Sequence, residues 1–332
     1  MVQRLSFGGK RLTIERTSGM NPMSNIRSVM KNMRIPLLIA LGIAILGIVL
    51  GSFFDYNVSS AIASADSALG LTLSAIGPTI GFAGVAVMGG GFIRFALKGE
   101  YKLWQKILFW VLSICCFGVS IYYPAGEYFG INGFYGAAPK WVGYLIVLLP
   151  EAAAVCLGYF LFKDCENKNM WIIFVIVIVL LLIALLGVIP TLKDMIHRPR
   201  FRLIVATGAD FHNWWEPCKN YKELMELYNT ASDNFKSYPS GHTAEASILL
   251  VTSTFLPLAG AKYKKFQRPL FIVSCCLIVI VAFARILAAA HFLSDVSTGA
   301  TIMILLLVIA NEVVARIKFL HPENEVLEEN KE

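Results

Sequence analysis

The sequence predicts an all-α protein, a polytopic transmembrane helical bundle of about eight spans with a partly helical extracytoplasmic loop. Three observations carry that prediction. Hydrophobic residues make up 57% of the 332-residue chain, and charged residues only 15%, against about 25% in soluble domains. Apolar runs close to the ~20 residues that cross a bilayer as a helix recur along the chain. The basic residues between the runs fall on alternate connections.

Residues 1–34 are a basic, polar tail whose weak amphipathic character suits anionic lipid. The first run covers 35–54 and the second 73–97. Pro78 and the GGG at 89–91 interrupt the second, but membrane helices tolerate both residue types. Runs at 104–123, 141–162 and 170–191 follow, and the Ile, Val and Leu stripe from 172 to 186 reads as lipid-facing or packing surface. After a charged, aromatic segment at 192–242 come runs at 243–259, 269–290 and 292–314. The chain therefore divides into a tail (1–34), N-terminal helices (35–191), a region at 192–316 holding the loop 201–238 and the last three spans, and an acidic, solvated tail (317–332).

Lys and Arg in the short connections set the orientation. Arg4, Lys10, Arg11, Arg16, Arg27, Lys31 and Arg34 predict a cytoplasmic N-terminus. Arg94 and Lys98, Lys163 and Lys168, Lys262 to Lys265, and Arg316 and Lys318 fall on the same side, which makes the C-terminus cytoplasmic too. The connections at 55–72 and 124–140 hold Asp55, Asp66, Glu127 and only Lys140, so with 192–242 they read as outside. The expected location is the cell membrane.

The net charge of +7 is then mostly topology. Its spread over several turns argues against a nucleic-acid partner. The first apolar run starts late and lacks a small-residue cleavage site, so no cleavable signal is expected. Of the seven cysteines only Cys218 faces out, which excludes a disulfide framework, and no metal-ligand spacing is present. No internal repeat marks an array, and the oligomeric state is left open.

Three clusters of ionisable residues fall on the predicted outer side, where such residues are costly beside a membrane. They are TLKDMIHRPRF with Lys193 and Arg200, the turn Pro239-Ser240-Gly241-His242, and ARILAAAHFLSD with Arg285, His291 and Asp295. Lys193, Arg200 and Arg285 supply cations for an anion site, Arg with a planar fork for phosphate oxygens. The turn before a helix adds backbone N–H groups at Ser240 and Gly241. His291 and Asp295 stand four apart, on one helical face, where a carboxylate can orient an imidazole as a nucleophile.

The order Lys-x6-Arg, Pro-Ser-Gly-His, Arg-x5-His-x3-Asp resembles the signature of the type 2 phosphatidic acid phosphatase superfamily, the lipid phosphate phosphatases and their relatives. The motifs cover residues 193–295. Two positions depart from the pattern: Phe201 follows Arg200 where proline is usual, and Ala284 precedes Arg285 where serine is usual. Choosing Arg198, which Pro199 does follow, would place Thr191 in the lysine slot, so the register keeping Lys193 and Arg200 is preferred. Five spans precede the first motif where many members have three, which suggests two extra helices.

The resemblance implies a metal-independent phosphatase without cofactor. In it His291 attacks phosphorus to form a phosphohistidine, Asp295 fixes the tautomer of His291, and His242 serves as acid and then base. Lys193, Arg200, Arg285 and the N–H groups at Ser240 and Gly241 would bind the phosphate. The expected substrate is a lipid phosphate or diphosphate monoester met at the extracytoplasmic face among membrane lipids. A phosphotransferase, a sugar-phosphate phosphatase and a catalytically silent binding or transport protein are the alternatives.

Blander roles suit other polar residues. Arg198 and Arg202 read as interfacial anchors or headgroup contacts, His197 and His212 as surface residues, and Trp214 and Trp215 as an aromatic belt or, alternatively, as lining of the substrate entrance. Glu245 reads as a helix N-terminal charge partner or a supporting group.

Overall fold

The computed structural model describes residues 3–7, 10–14, 25–130, 140–165 and 167–317. The acidic tail from 318, Lys140's side chain and most of the connection at 124–140 lie outside the described residues. A short antiparallel hairpin, β1 (Gln3–Phe7) with β2 (Lys10–Ile14), precedes the helices. Helix α1 (Asn25–Ile62) starts within the stretch read as tail and ends past Asp55, which was expected in a connection.

Four helices follow α1's pattern of long apolar sequence: α2 (Ala68–Lys98), α3 (Leu103–Gly130), α4 (Lys140–Leu161) and α5 (Met170–Leu182). A wide π-helical turn at Ile183–Val188 carries α5 into α6 (Ile189–Ile196). Near the end of the chain α11 (Lys264–Leu287) and α12 (Leu293–Arg316) are again long. Among the described residues seven helices are long and apolar enough to cross a bilayer, which marks an integral membrane protein.

The expected span at 243–259 is not one of the seven. It is broken into α9 (Gly241–Ser247), α10 (Leu249–Phe255) and a 3₁₀ turn at Leu256–Ala259. Its residues are mostly buried among α1, α2, α11 and α12, so it presents little surface to lipid. The hydroxyls of Ser247, Ser253 and Thr254 bond to carbonyls three or four residues back, and Pro257 ends the regular hydrogen bonding. The segment still runs from one end of the bundle to the other. Lys262 just beyond it pairs with Asp164 at 2.5 Å, at the end where Arg94 donates to the Lys163 carbonyl. Gly241 lies at the opposite end, beside Lys193.

Helix α2, whose Gly and Pro content weakened its sequence signal, is the innermost span. Of its most apolar stretch 72% is buried, against 17–50% for the other six. The glycines account for this position. A Cβ at Gly90 would stand 1.9 Å from the Val155 carbonyl of α4, and one at Gly158 would stand 2.0 Å from Val87 O of α2. One at Gly81 would stand 2.1 Å from Glu245 O of α9. Small residues let backbones touch where no hydrophobic force drives helices together in lipid. Phe92 then stacks on Phe109, and Phe95, Phe162 and Phe174 add edge-to-face contacts around the same helix.

Candidate active site

The segment 201–238 folds over the end of the bundle. It contains α7 (Phe201–Thr207), α8 (Tyr221–Leu227) and a 3₁₀ turn at Ser232–Phe235. Leu203, Cys218 and Phe235 form one small core, while Phe201 and Ile204 pack on Ala289 and Phe292 in another. Trp214 is not a free belt residue: its indole donates to Ser52 Oγ at 2.9 Å and its ring stacks on Tyr238. Trp215 remains exposed.

Beneath this cap the three sequence clusters meet. Ser237 N donates to the Arg198 carbonyl (3.1 Å), and Ser240 N donates to the Asp295 carbonyl (3.0 Å). Gly299 of α12 lies so close to the turn that a Cβ there would stand 2.2 Å from Ser240 O. The engaged Ser240 N–H corrects its expected role. It braces the turn against α12, while its hydroxyl caps α9 by accepting from Thr243 N, so the N–H is not offered to an anion.

His291 is 1% exposed and sits just after a turn in which Ala289 adopts φ +53°. An L-residue with a Cβ pays about 1–2 kcal/mol for that left-handed conformation, and the hydrogen bond from Arg202 N to Ala289 O at 2.9 Å helps hold it. The imidazole Nδ1 lies 2.6 Å from the Ser237 carbonyl. A carbonyl only accepts, so Nδ1 carries the proton and Nε2 keeps its lone pair. Asp295 was expected to set this tautomer, but its Oδ2 is 3.8 Å from Nδ1. The backbone carbonyl does it instead, because Asp295 Oδ2 is occupied by Ser237 Oγ (2.5 Å) and Phe292 N (2.8 Å). Burial holds the His291 imidazole well below the ordinary histidine value of 6.5. The Asp295 carboxylate opposes that shift, while the Arg285 and Arg200 charges reinforce it.

Arg198 is neither an anchor nor a headgroup contact. Its side chain is fully buried, with Nη1 2.6 Å from Asp295 Oδ1 and Nη2 2.9 Å from Asp55 Oδ2. Its Nε donates to the His212 carbonyl (2.8 Å), its Nη1 also reaches Ser294 Oγ (2.9 Å), and its guanidinium lies over the Phe292 ring. Arg202 is likewise tied within the protein, to Asn234 and Asp233. His197 stacks on Tyr221 rather than lying free on the surface.

The cations split accordingly. Arg200 is buried, pairs through Nη2 with the exposed Asp233 (2.8 Å), and its Nε has no hydrogen-bond partner among the described residues. Arg285, in the last turn of α11, and Arg200 are both near enough to His291 for their charges to act on it. Lys193, in the last turn of α6, brings its Nζ within 3.8 Å of where a Cβ on Gly241 would be. His242 follows in the first turn of α9 and is buried. Lys193, Arg200, Gly241, His242, Arg285, His291 and Asp295 thus gather at one end of the bundle.

Sequence reasoning missed Asp55, Ser237 and Ser294. Asp55 accepts from Ser294 N at 2.8 Å and also bonds the Ser294 hydroxyl. An acid at the end of a strongly apolar run is the signal that could have found it. Ser237 acts partly through its carbonyl, which no side-chain pattern reveals.

No curated protein and no solved structure matches the chain. Residues 169–318, the part that holds all three clusters, match the family model of the PAP2 superfamily.

Proposed function

We propose that the protein hydrolyses a lipid phosphate monoester through a phosphohistidine on His291. The match to the superfamily model, with the long apolar helices, supports a membrane phosphatase in general. The observation that carries the finer reading is the bond between His291 Nδ1 and the Ser237 carbonyl, which fixes a neutral imidazole with Nε2 as its nucleophilic edge. Nε2 attacks phosphorus, the bond to the ester oxygen breaks, and His242 gives that oxygen its proton. Water then attacks the phosphohistidine and yields its proton to His242, and the P–N bond breaks to release inorganic phosphate. Lys193, Arg200, Arg285 and the Gly241 N–H bind the phosphoryl oxygens, where charge spreads in the transition state. Asp295 compensates the imidazolium-like charge that develops on His291, and Arg198 holds Asp295 in place.

An apolar cavity of about 750 Å³ between α1, α11 and α12 supports a lipid as the substrate. Thr243, next to His242, and Leu293, two residues past His291, line it, and so does Arg268 in the first turns of α11. It therefore extends from the site toward the far end of the bundle. The basic residues of the opposite end, Arg34, Arg94, Lys163 and Lys262, favour a cytoplasmic position for that end and an extracytoplasmic one for the site. The test is phosphate release by the purified chain in detergent, with and without EDTA. Release from phosphatidate that EDTA leaves unchanged is expected; dependence on an added divalent ion would refute the metal-free scheme.

A further inference from the structure

A second, smaller cavity of about 180 Å³ adjoins the phosphate-binding residues. Lys193, Asp194, Lys236, Gly241, Glu245 and Tyr123 line it together with apolar residues of α6 and the turn before it. Glu245 belongs to none of the three motifs. It lies one helical turn beyond His242 and is buried, and its Oε1 is 3.8 Å from the Cβ position of Gly241, the same distance as Lys193 Nζ. A carboxylate at the rim of a phosphate site repels the anion that the site must bind. Such a group is useful where the ligand also brings hydrogen-bond donors.

The charges around the cavity balance. Lys193 and Glu245 flank Gly241, and Lys236 lies 3.7 Å from Asp194. A second phosphate, as in a diphosphate ester, would face Glu245, with Lys236 already beside Asp194. A neutral group with hydroxyls meets both an acceptor and a donor. At ~30 Å³ per water the cavity has room for about six waters, close to the bulk of a glycerol unit.

We propose that this cavity holds the alcohol part of the substrate and selects a phosphomonoester of a small polyhydroxylated alcohol, with Glu245 accepting from its hydroxyls and Lys236 donating to them. The proposal rests on the phosphatase reading above and narrows it. Tyr123, on α3, gives the helices before residue 169 a part in choosing the substrate.

The test compares the parent chain with Glu245→Gln on four esters in detergent. Glycerol 1-phosphate and phosphatidylglycerol phosphate carry free hydroxyls beside the ester, one soluble and one lipid-borne. Phosphatidate and p-nitrophenyl phosphate do not. Removing a charged hydrogen-bond acceptor should lower kcat/KM on the first two by about 10- to 100-fold, and on the last two by less than about twofold. The ratio of the first two in the parent tells a lipid from a soluble source. An equal fall on all four would mean that Glu245 only positions Lys193, and either that result or no fall at all overturns the proposal. If the parent released phosphate from none of the four, the phosphatase reading would fail, and binding would still decide the cavity. Glycerol 1-phosphate should bind His291→Ala about tenfold tighter than methyl phosphate does, and adding Glu245→Gln should remove that preference; equal affinities before that change overturn it.

Discussion

Arg198 offers the most direct test of how the site is built. It is fully buried between two carboxylates that are themselves 0–2% exposed, with contacts of 2.6 and 2.9 Å. Replacing it by methionine keeps most of the volume and strands both acids. Breaking a buried pair costs about 3–5 kcal/mol, because a charge is left without compensation. At about 2–4 °C per kcal/mol, the thermal midpoint should fall on the order of 10 °C. Turnover should fall as well, since Asp295 loses the partner of its Oδ1. Adding Asp55→Asn to Arg198→Met removes one stranded charge, so the double variant should recover part of the loss. Residues sharing a network typically show coupling of about 0.5–3 kcal/mol. The assay is thermal unfolding in one detergent, followed by tryptophan fluorescence, with phosphate release measured in parallel. A midpoint for Arg198→Met within about 2 °C of the parent, or strict additivity with Asp55→Asn, would refute the reading of Arg198 as the centre of the network.

Three further outcomes follow. His291→Ala should abolish turnover, while His242→Ala should leave activity reduced by about 100- to 10,000-fold, least on p-nitrophenyl phosphate; equal residual rates on that ester would contradict the division of roles. Burial depresses the proton affinity of His291 in the folded chain, so its ring should remain neutral at pH 6.5. The unfolded chain then binds the extra proton, so this residue's stabilising contribution is complete above pH 6.5 and is lost as pH falls; NMR of labelled histidine, assigned with His291→Gln, checks this, and a midpoint at or above 6.5 would contradict it. Gly299→Ala should push α12 away from the Ser240 carbonyl, where 2.2 Å is available, and lower kcat well beyond its effect on the thermal midpoint; unchanged turnover would mean that this close approach does not matter for the site.

The parts legible in the sequence were those written in residue type and spacing. Apolar run length gave the long helices, and the spacing of Lys193, Arg200, His242, Arg285, His291 and Asp295 gave the residues that meet. Hydropathy alone could not separate a lipid-facing span from a buried one. The run at 243–259 is apolar because it lies inside the bundle, where broken helices are tolerated once other helices surround them. The glycines of α2 lowered its signal for the opposite reason, since they are what lets it sit at the centre. Nor could spacing distinguish Arg198 from Arg200. Both lie in one short stretch, yet α6 ends at His197 with φ +47° and the reversal sends Arg198 inward to two acids. Arg200 becomes the N-cap of α7 and turns toward the site.

Asp55 links the two parts of the chain. It stands 143 residues from Arg198 and 239 from Ser294, outside the portion that carries the family match, yet it bonds both. Helix α1 packs along α12, and a Cβ on Gly51, one turn before Asp55, would stand 2.5 Å from the Ser294 amide. That contact leaves no room for a larger side chain, so α1 is seated against the start of the helix that carries Asp295. A catalytic region built from 169–318 alone would keep every motif residue and lose half of the acid pair around Arg198. Its buried guanidinium would then keep Asp295 but lose its second acid, and Ser294, the residue before Asp295, would lose the acceptor for its amide. The helices before residue 169 are therefore part of what positions the site.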